Sequence, residues 1–172
     1  IKDAGFGIMN LANNHIMDHG LQAFRDTTAA LSKSGIKYFG STDKGNRQKK
    51  IVTCKVGGLK IGFLGYTTEI GISGRFDYVD TDYLYQIKNK IADFKKEVDF
   101  LIISIHWGHE YMNSPSIKQV KVARSLIDGG ADVIMGHHPH VIQGVEKYKN
   151  GIIAYSLGNF LFDDHRQKSK RT

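Results

Sequence analysis

Seven of the eight histidines fall in three short windows: Asn13-Asn14-His15 followed by Asp18 and His19, His106-Trp107-Gly108-His109-Glu110, and His137-His138-Pro139-His140. Imidazole is both a metal ligand and a proton carrier near neutral pH. Each window begins just past the end of a predicted strand. In α/β sheets, ligands bind outside the carboxyl ends of the strands, so three such loops converge on one site. A single histidine reads more simply as a surface or hydrogen-bonded core residue. Three clusters at the same topological position point instead to a shared metal or catalytic site.

Spacing suggests individual roles. Pro139 disfavours helix for His138 and predicts an extended conformation, in which residues i and i+2 lie on the same side, so His138 and His140 can face one ion. His106, ending an apolar run, is the natural third ligand. Neutral imidazole suits Zn, Fe, Ni and Cu and, with added carboxylates, Mn, which leaves the metal open. Asn14 can bind weakly through its carbonyl oxygen or donate its amide to a developing oxyanion. His15 can protonate a leaving oxygen, with its tautomer set by Asp18. Asp18 reads equally well as the N-cap of the helix that follows. His109 and Glu110 can orient ligands, contact substrate or line the loop. His137, pointing away from His138 on an extended segment, reads as an outer residue rather than a ligand. His19 is expected at a helix start and His165 in the tail. In Ser156-Leu157-Gly158-Asn159-Phe160-Leu161-Phe162-Asp163, Gly158 allows close backbone approach and Asn159 can hydrogen-bond near the site. Phe160 and Phe162 read as packing residues, and closure of the core is the simpler reading of that segment.

The positioning elements alternate between short β-branched runs and segments of helical period, the pattern of an α/β layered fold. Strands are expected at 7–12, 36–39, 51–56, 59–66, 99–105, 132–135, 141–148 and 152–156. Gly57-Gly58 and Asn150-Gly151 mark hairpin turns. Helices are expected over 20–34, where Leu21, Phe24, Thr28 and Leu31 share a face, and over 84–98, where Leu84, Ile87, Ile91, Phe94 and Val98 do. Pro115 can open a third helix carrying Ile117, Val120, Ala123 and Ile127 and ending at Gly129-Gly130. Residues 67–80 show no clear period.

At 172 residues and 41% hydrophobic, the chain suits one domain that needs no disulfide or metal merely to fold. Cys54, the single cysteine, excludes an internal disulfide and lies in a predicted hairpin strand away from the histidine loops, which argues against a thiol nucleophile. The formal charge of +7 is concentrated in two runs, Lys44 to Lys50 and Arg166 to Arg171; outside them, acids and bases nearly balance. Both runs read as solvated segments or as attraction for a polyanion. No recognition motif supports nucleic-acid binding. No apolar run approaches the ~20 residues of a membrane span. There is neither a serine-hydrolase elbow nor a phosphate-cradling glycine loop with lysine.

Taken in order, Asn10-Leu11-Ala12-Asn13-Asn14-His15 with Asp18 and Gly20, His106-Trp107-Gly108-His109-Glu110, Gly136-His137-His138-Pro139-His140-Val141 and Ser156-Leu157-Gly158-Asn159-Phe160 resemble the bacterial CapA/PgsA capsule-synthesis family associated with poly-γ-glutamate. The resemblance covers residues 1–163, leaving 164–172 as a basic tail. That family is similar to the calcineurin-like metallophosphoesterases. The resemblance implies an α-β-β-α sandwich of two sheets flanked by helices and a two-metal site. It also implies Asn14, His106, His138 and His140 as ligands and His15 as catalytic acid. The ions would be Mn, Zn or Fe. The substrate would be a phosphoester or polyanionic polymer, handled by a hydrolase or by a non-catalytic accessory protein of capsule assembly or export. The setting would be a membrane-bound capsule synthesis complex, with the parent protein anchored to the membrane and facing the extracytoplasmic side. The superfamily takes further ligands, including a bridging Asp, from motifs upstream of Asn-His. Only fourteen residues precede His15 here, with Asp3 their single acid. The chain is therefore expected to be an N-terminally truncated piece with an incomplete metal site.

Overall fold

The computed structural model describes residues 1–40, 51–69 and 80–161. The basic run Lys44 to Lys50, the tail 164–172, and Phe162, Asp163 and His165 lie outside the described residues. In chain order the elements are β1 (Ile8–Asn10), α1 (Gly20–Lys33), β2 (Lys37–Phe39), β3 (Val52–Val56), β4 (Leu59–Thr67), α2 (Thr81–Gln86), α3 (Lys88–Lys96), β5 (Phe100–His106), α4 (Ile117–Asp128), β6 (Val133–His137), β7 (Val145–Tyr148) and β8 (Gly151–Ala154). Strands β3-β4-β5-β6-β8-β7 form one sheet, and β1 and β2 form a separate parallel pair. In the large sheet β4, β5, β6 and β8 run parallel, and hairpins add β3 and β7 antiparallel at the edges. Parallel neighbours need crossovers, which α2 with α3 and then α4 supply.

Alternation along β5 builds the core. Leu101, Ile103 and Ile105 are fully buried with Leu84, Ile91, Val122 and Leu126 of the crossover helices. Each such side chain contributes roughly 1.5–3 kcal/mol by leaving water. The opposite face of β5 carries Ser104 and His106 and meets the small sheet. There the Asn10 amide donates to Ser104 Oγ at 2.9 Å, while its Oδ1 accepts the Ala12 N–H at 3.0 Å. A Cβ on Gly40 or Gly65 would lie 2.1 or 2.3 Å from that Oδ1, so glycine at both positions lets the sheets close on Asn10. The layers are helix, large sheet, small sheet and helix, the α-β-β-α order that the family resemblance implies, with α1 packed on β2. No helix among the described residues is long and apolar enough to cross a membrane.

Several elements differ from expectation. The helix foreseen over 84–98 is two helices joined at Ile87, whose ψ of 6° tightens the turn. The change keeps Leu84, Ile87 and Ile91 on the buried side, so the apolar period survives the break. In α4, Ser116 is the N-cap and forms a capping box with Gln119, so Pro115 precedes the helix rather than opening it. Ile117 is consequently exposed in the first turn. β1 is confined to three residues because it pairs only with the equally short β2. The strand foreseen over 141–148 begins at Val145, and β6 extends to His137 because it stays in register with β5. Phe160 is 86% exposed and touches Phe6 edge-on at 5.3 Å, so it is not the packing residue its type suggested.

Candidate metal centre

Register aligns the carboxyl ends of the central strands, so Thr67, His106 and His137 lie side by side in one row. The loop after β1 crosses this edge and brings Asn14 Oδ1 to 3.0 Å from His106 Nε2. His138 Nδ1 lies 3.1 Å from the same nitrogen. A carbonyl oxygen only accepts, and one ring nitrogen carries either a proton or a lone pair. Hydrogen bonding therefore satisfies this trio at best through one shared proton, whereas a cation would satisfy all three lone pairs. Burial, reinforced by the neighbouring histidines, pushes the His106 pKa down to about 3. The ring is thus neutral at ordinary pH, the form that binds metal. On this donor chemistry, the residues present fit a divalent ion.

A second group of donors stands beside the trio. Donor atoms of Glu110, His138 and His140 all lie within 4.8 Å of one another. His140 Nδ1 donates to Asn159 Oδ1 at 2.8 Å, which fixes the tautomer and leaves Nε2 with its lone pair. Tyr111 stacks on the His140 ring at 5.9 Å. His138 Nε2 is 4.0 Å from Glu69 Oε2. Burial lowers the His138 pKa, opposed by the charges of Glu69 and Glu110. The loop carrying Glu110 is strapped to the His137-to-His140 loop by Trp107 N–H to His137 O at 3.0 Å and Tyr111 N–H to Pro139 O at 2.8 Å. The Trp107 indole, buried, donates to Tyr155 O at 3.1 Å.

His15 is exposed at the mouth of the cluster, and its Nδ1 is 2.7 Å from Asp18 Oδ2. Nδ1–H facing the carboxylate leaves Nε2 outward. The N-cap of α1 is His19, with no side-chain cap, so Asp18 pairs with His15 and does not cap the helix. Asp18 Oδ1 is buried without a hydrogen-bond partner among the described residues.

The convergence of His138 and His140 has a different cause from the one expected. His138 has φ 98° and His140 φ 62°, so His138 is not extended. Pro139 disfavours the right-handed helical region for His138, and the backbone bends there at positive φ, leaving the His138 and His140 ring centroids 6.1 Å apart. His137 lies beside His106 in register, and burial lowers its pKa. It stands outside the Glu110, His138, His140 group, as does the exposed His109. Sequence reasoning missed Glu69, which sits in the aperiodic stretch after β4. The available signal was position: it is the first carboxylate past the end of a parallel strand.

Residues 1–164 match the model of a family described as bacterial capsule synthesis protein PGA_cap. The chain is 38% identical to capsule biosynthesis protein CapA of Bacillus anthracis over 99% of its own length and 43% of that protein. It is likewise 38% identical to PGA biosynthesis protein CapA of Bacillus subtilis strain 168, over 95% of this chain and 44% of that protein. The chain thus spans less than half the length of these curated relatives. Among solved structures, a phosphatase from Mycoplasma pneumoniae superposes with a TM-score of 0.60 at 16% identity, covering 91% of this chain and 52% of that one, a likeness of fold.

Proposed function

This chain belongs to the bacterial capsule synthesis protein family PGA_cap, and from that premise we propose that its strand-end cluster is the centre of a metal-dependent phosphoester hydrolase acting in capsule polymer synthesis. The observation that carries this reading is the convergence of Asn14 Oδ1 and His138 Nδ1 on His106 Nε2 at 3.0 and 3.1 Å, beside a His15–Asp18 pair. A bound divalent ion supplies Lewis-acid polarisation of a phosphoryl oxygen and acidifies a water. Mn, Zn and Fe all suit imidazole with carboxylate, and a pair of ions would clamp the attacking and leaving oxygens.

The chain's own residues do the rest. Asn14, His106, His138 and His140 bind; Asn159 holds His140 in one tautomer. Asp18 holds the His15 proton at Nδ1, so that a protonated Nε2 faces solvent and a leaving oxygen. The substrate is a phosphoester or an anionic polymer such as poly-γ-glutamate, met at a membrane-bound capsule synthesis complex. Metal content and phosphodiesterase turnover of the full-length protein test the reading. His138→Ala should lose metal and at least ~100-fold in turnover, and His15→Asn should keep metal while losing the ~100–10,000-fold typical of a general acid. Turnover unchanged in His138→Ala would refute it.

A further inference from the structure

We propose that Glu110 is a direct metal ligand, the anionic donor that closes a cation position with His138 and His140. The inference rests on the metal-centre reading above and adds a residue to it.

Charge is the first reason. Asn14, His106, His138 and His140 are neutral donors, and a dication held only by neutral groups at a partly buried site keeps its full charge. Two carboxylates stand at the cluster among the described residues, Glu69 and Glu110. Of the two, Glu110 has an oxygen in the group whose donor atoms lie within 4.8 Å of one another, whereas the nearest Glu69 contact is 4.0 Å from His138 Nε2 and does not include His140.

Distance is the second. At metal–ligand bonds of ~2.1 Å, tetrahedral ligand atoms stand ~3.4 Å apart, and octahedral ones ~3.0 Å or ~4.2 Å. Donors spread over no more than 4.8 Å stand within ~1.4 Å of the tetrahedral separation. The third reason is that the position is held from both sides. Asn159 fixes His140. Tyr111, next in sequence to Glu110, donates its N–H to Pro139 O and stacks on His140. Backbone and ring contacts thus tie the carboxylate's loop to the two imidazoles, which is how a ligand loop is supported.

Mn²⁺ and Co²⁺ binding to the full-length protein, measured by calorimetry and by the visible spectrum of the Co²⁺ form, separates the outcomes. Glu110→Gln should weaken binding by more than the ~10–100-fold that loss of an outer partner costs, and should change the Co²⁺ bands. Glu110→Asp should recover part of the affinity. Because Glu110 is exposed, both variants should keep the wild-type melting temperature in chelator. Unchanged affinity and bands in Glu110→Gln, with only the substrate KM raised, would overturn the proposal and leave the metal centre standing. A wild-type protein that takes up neither ion would refute the metal-centre reading itself.

Discussion

Acidifying the metal-free protein should destabilise it through His106. Its pKa falls from an ordinary 6.5 to about 3 in the folded state, first because of burial and then because of the neighbouring histidine charges. Below pH 6.5 the unfolded chain binds a proton that the folded chain refuses until about pH 3. The stabilising contribution of the neutral ring is therefore complete above 6.5 and is lost as pH falls through that window. The slope is ~1.4 kcal/mol per pH unit, so the step from pH 7 to pH 5 costs about 2 kcal/mol from this residue alone. His137 and His138, also lowered by burial, add in the same direction. For a chain of this length, 2 kcal/mol corresponds to a melting-temperature drop of about 4–8 °C. Urea unfolding in chelator at pH 7, 6 and 5, for wild type and His106→Gln, reads the effect as a difference of slopes, which removes any pH-independent cost of the substitution. The variant should lose about 2 kcal/mol of the pH 7 to pH 5 decline. Equal declines in the two proteins would refute the assignment of His106 as a partly buried, neutral imidazole.

Gly136→Ala should damage the site's scaffold directly, since a Cβ there would lie 1.9 Å from Tyr155 O, the acceptor of the Trp107 indole. A loss at or above the ~1–3 kcal/mol of ordinary overpacking is expected. Trp107 is the only tryptophan, so a red-shifted emission should accompany the loss. Asn10→Ala should cost ~1–3 kcal/mol, because it leaves the buried Ser104 hydroxyl without its donor. It should also loosen the loop bearing Asn14 and weaken metal binding, whereas Ser104→Ala, which keeps the Ala12 turn on Asn10, should weaken it less.

What was legible in the sequence follows from which physics is local. Residues 99–105 announced a buried strand through Phe100 to Ile103 and Ile105, and the polar side chain just past it, His106, had to emerge at the sheet's carboxyl edge. The same logic placed Asn14 and His138 at that edge without any knowledge of their contacts, and the His15 to Asp18 spacing of three residues allowed their pairing. Glu69 followed the same rule, yet the stretch around it has no period, and without a period there was no element on which to hang it. The conformation of His138 was not legible for another reason. Sequence preferences describe unstrained backbone, and three of the four non-glycine residues at positive φ among the described residues are Tyr111, His138 and His140. Each costs of order 1–3 kcal/mol and persists only where surrounding structure imposes it. Here the imposing contacts are the Tyr111 to Pro139 and Trp107 to His137 hydrogen bonds, both between residues distant in sequence. The fourth such residue, Lys149, lies in a hairpin turn, where positive φ is ordinary. A loop that served only to connect strands would relieve this conformation with glycine. Two imidazoles and a phenol ring are held there instead.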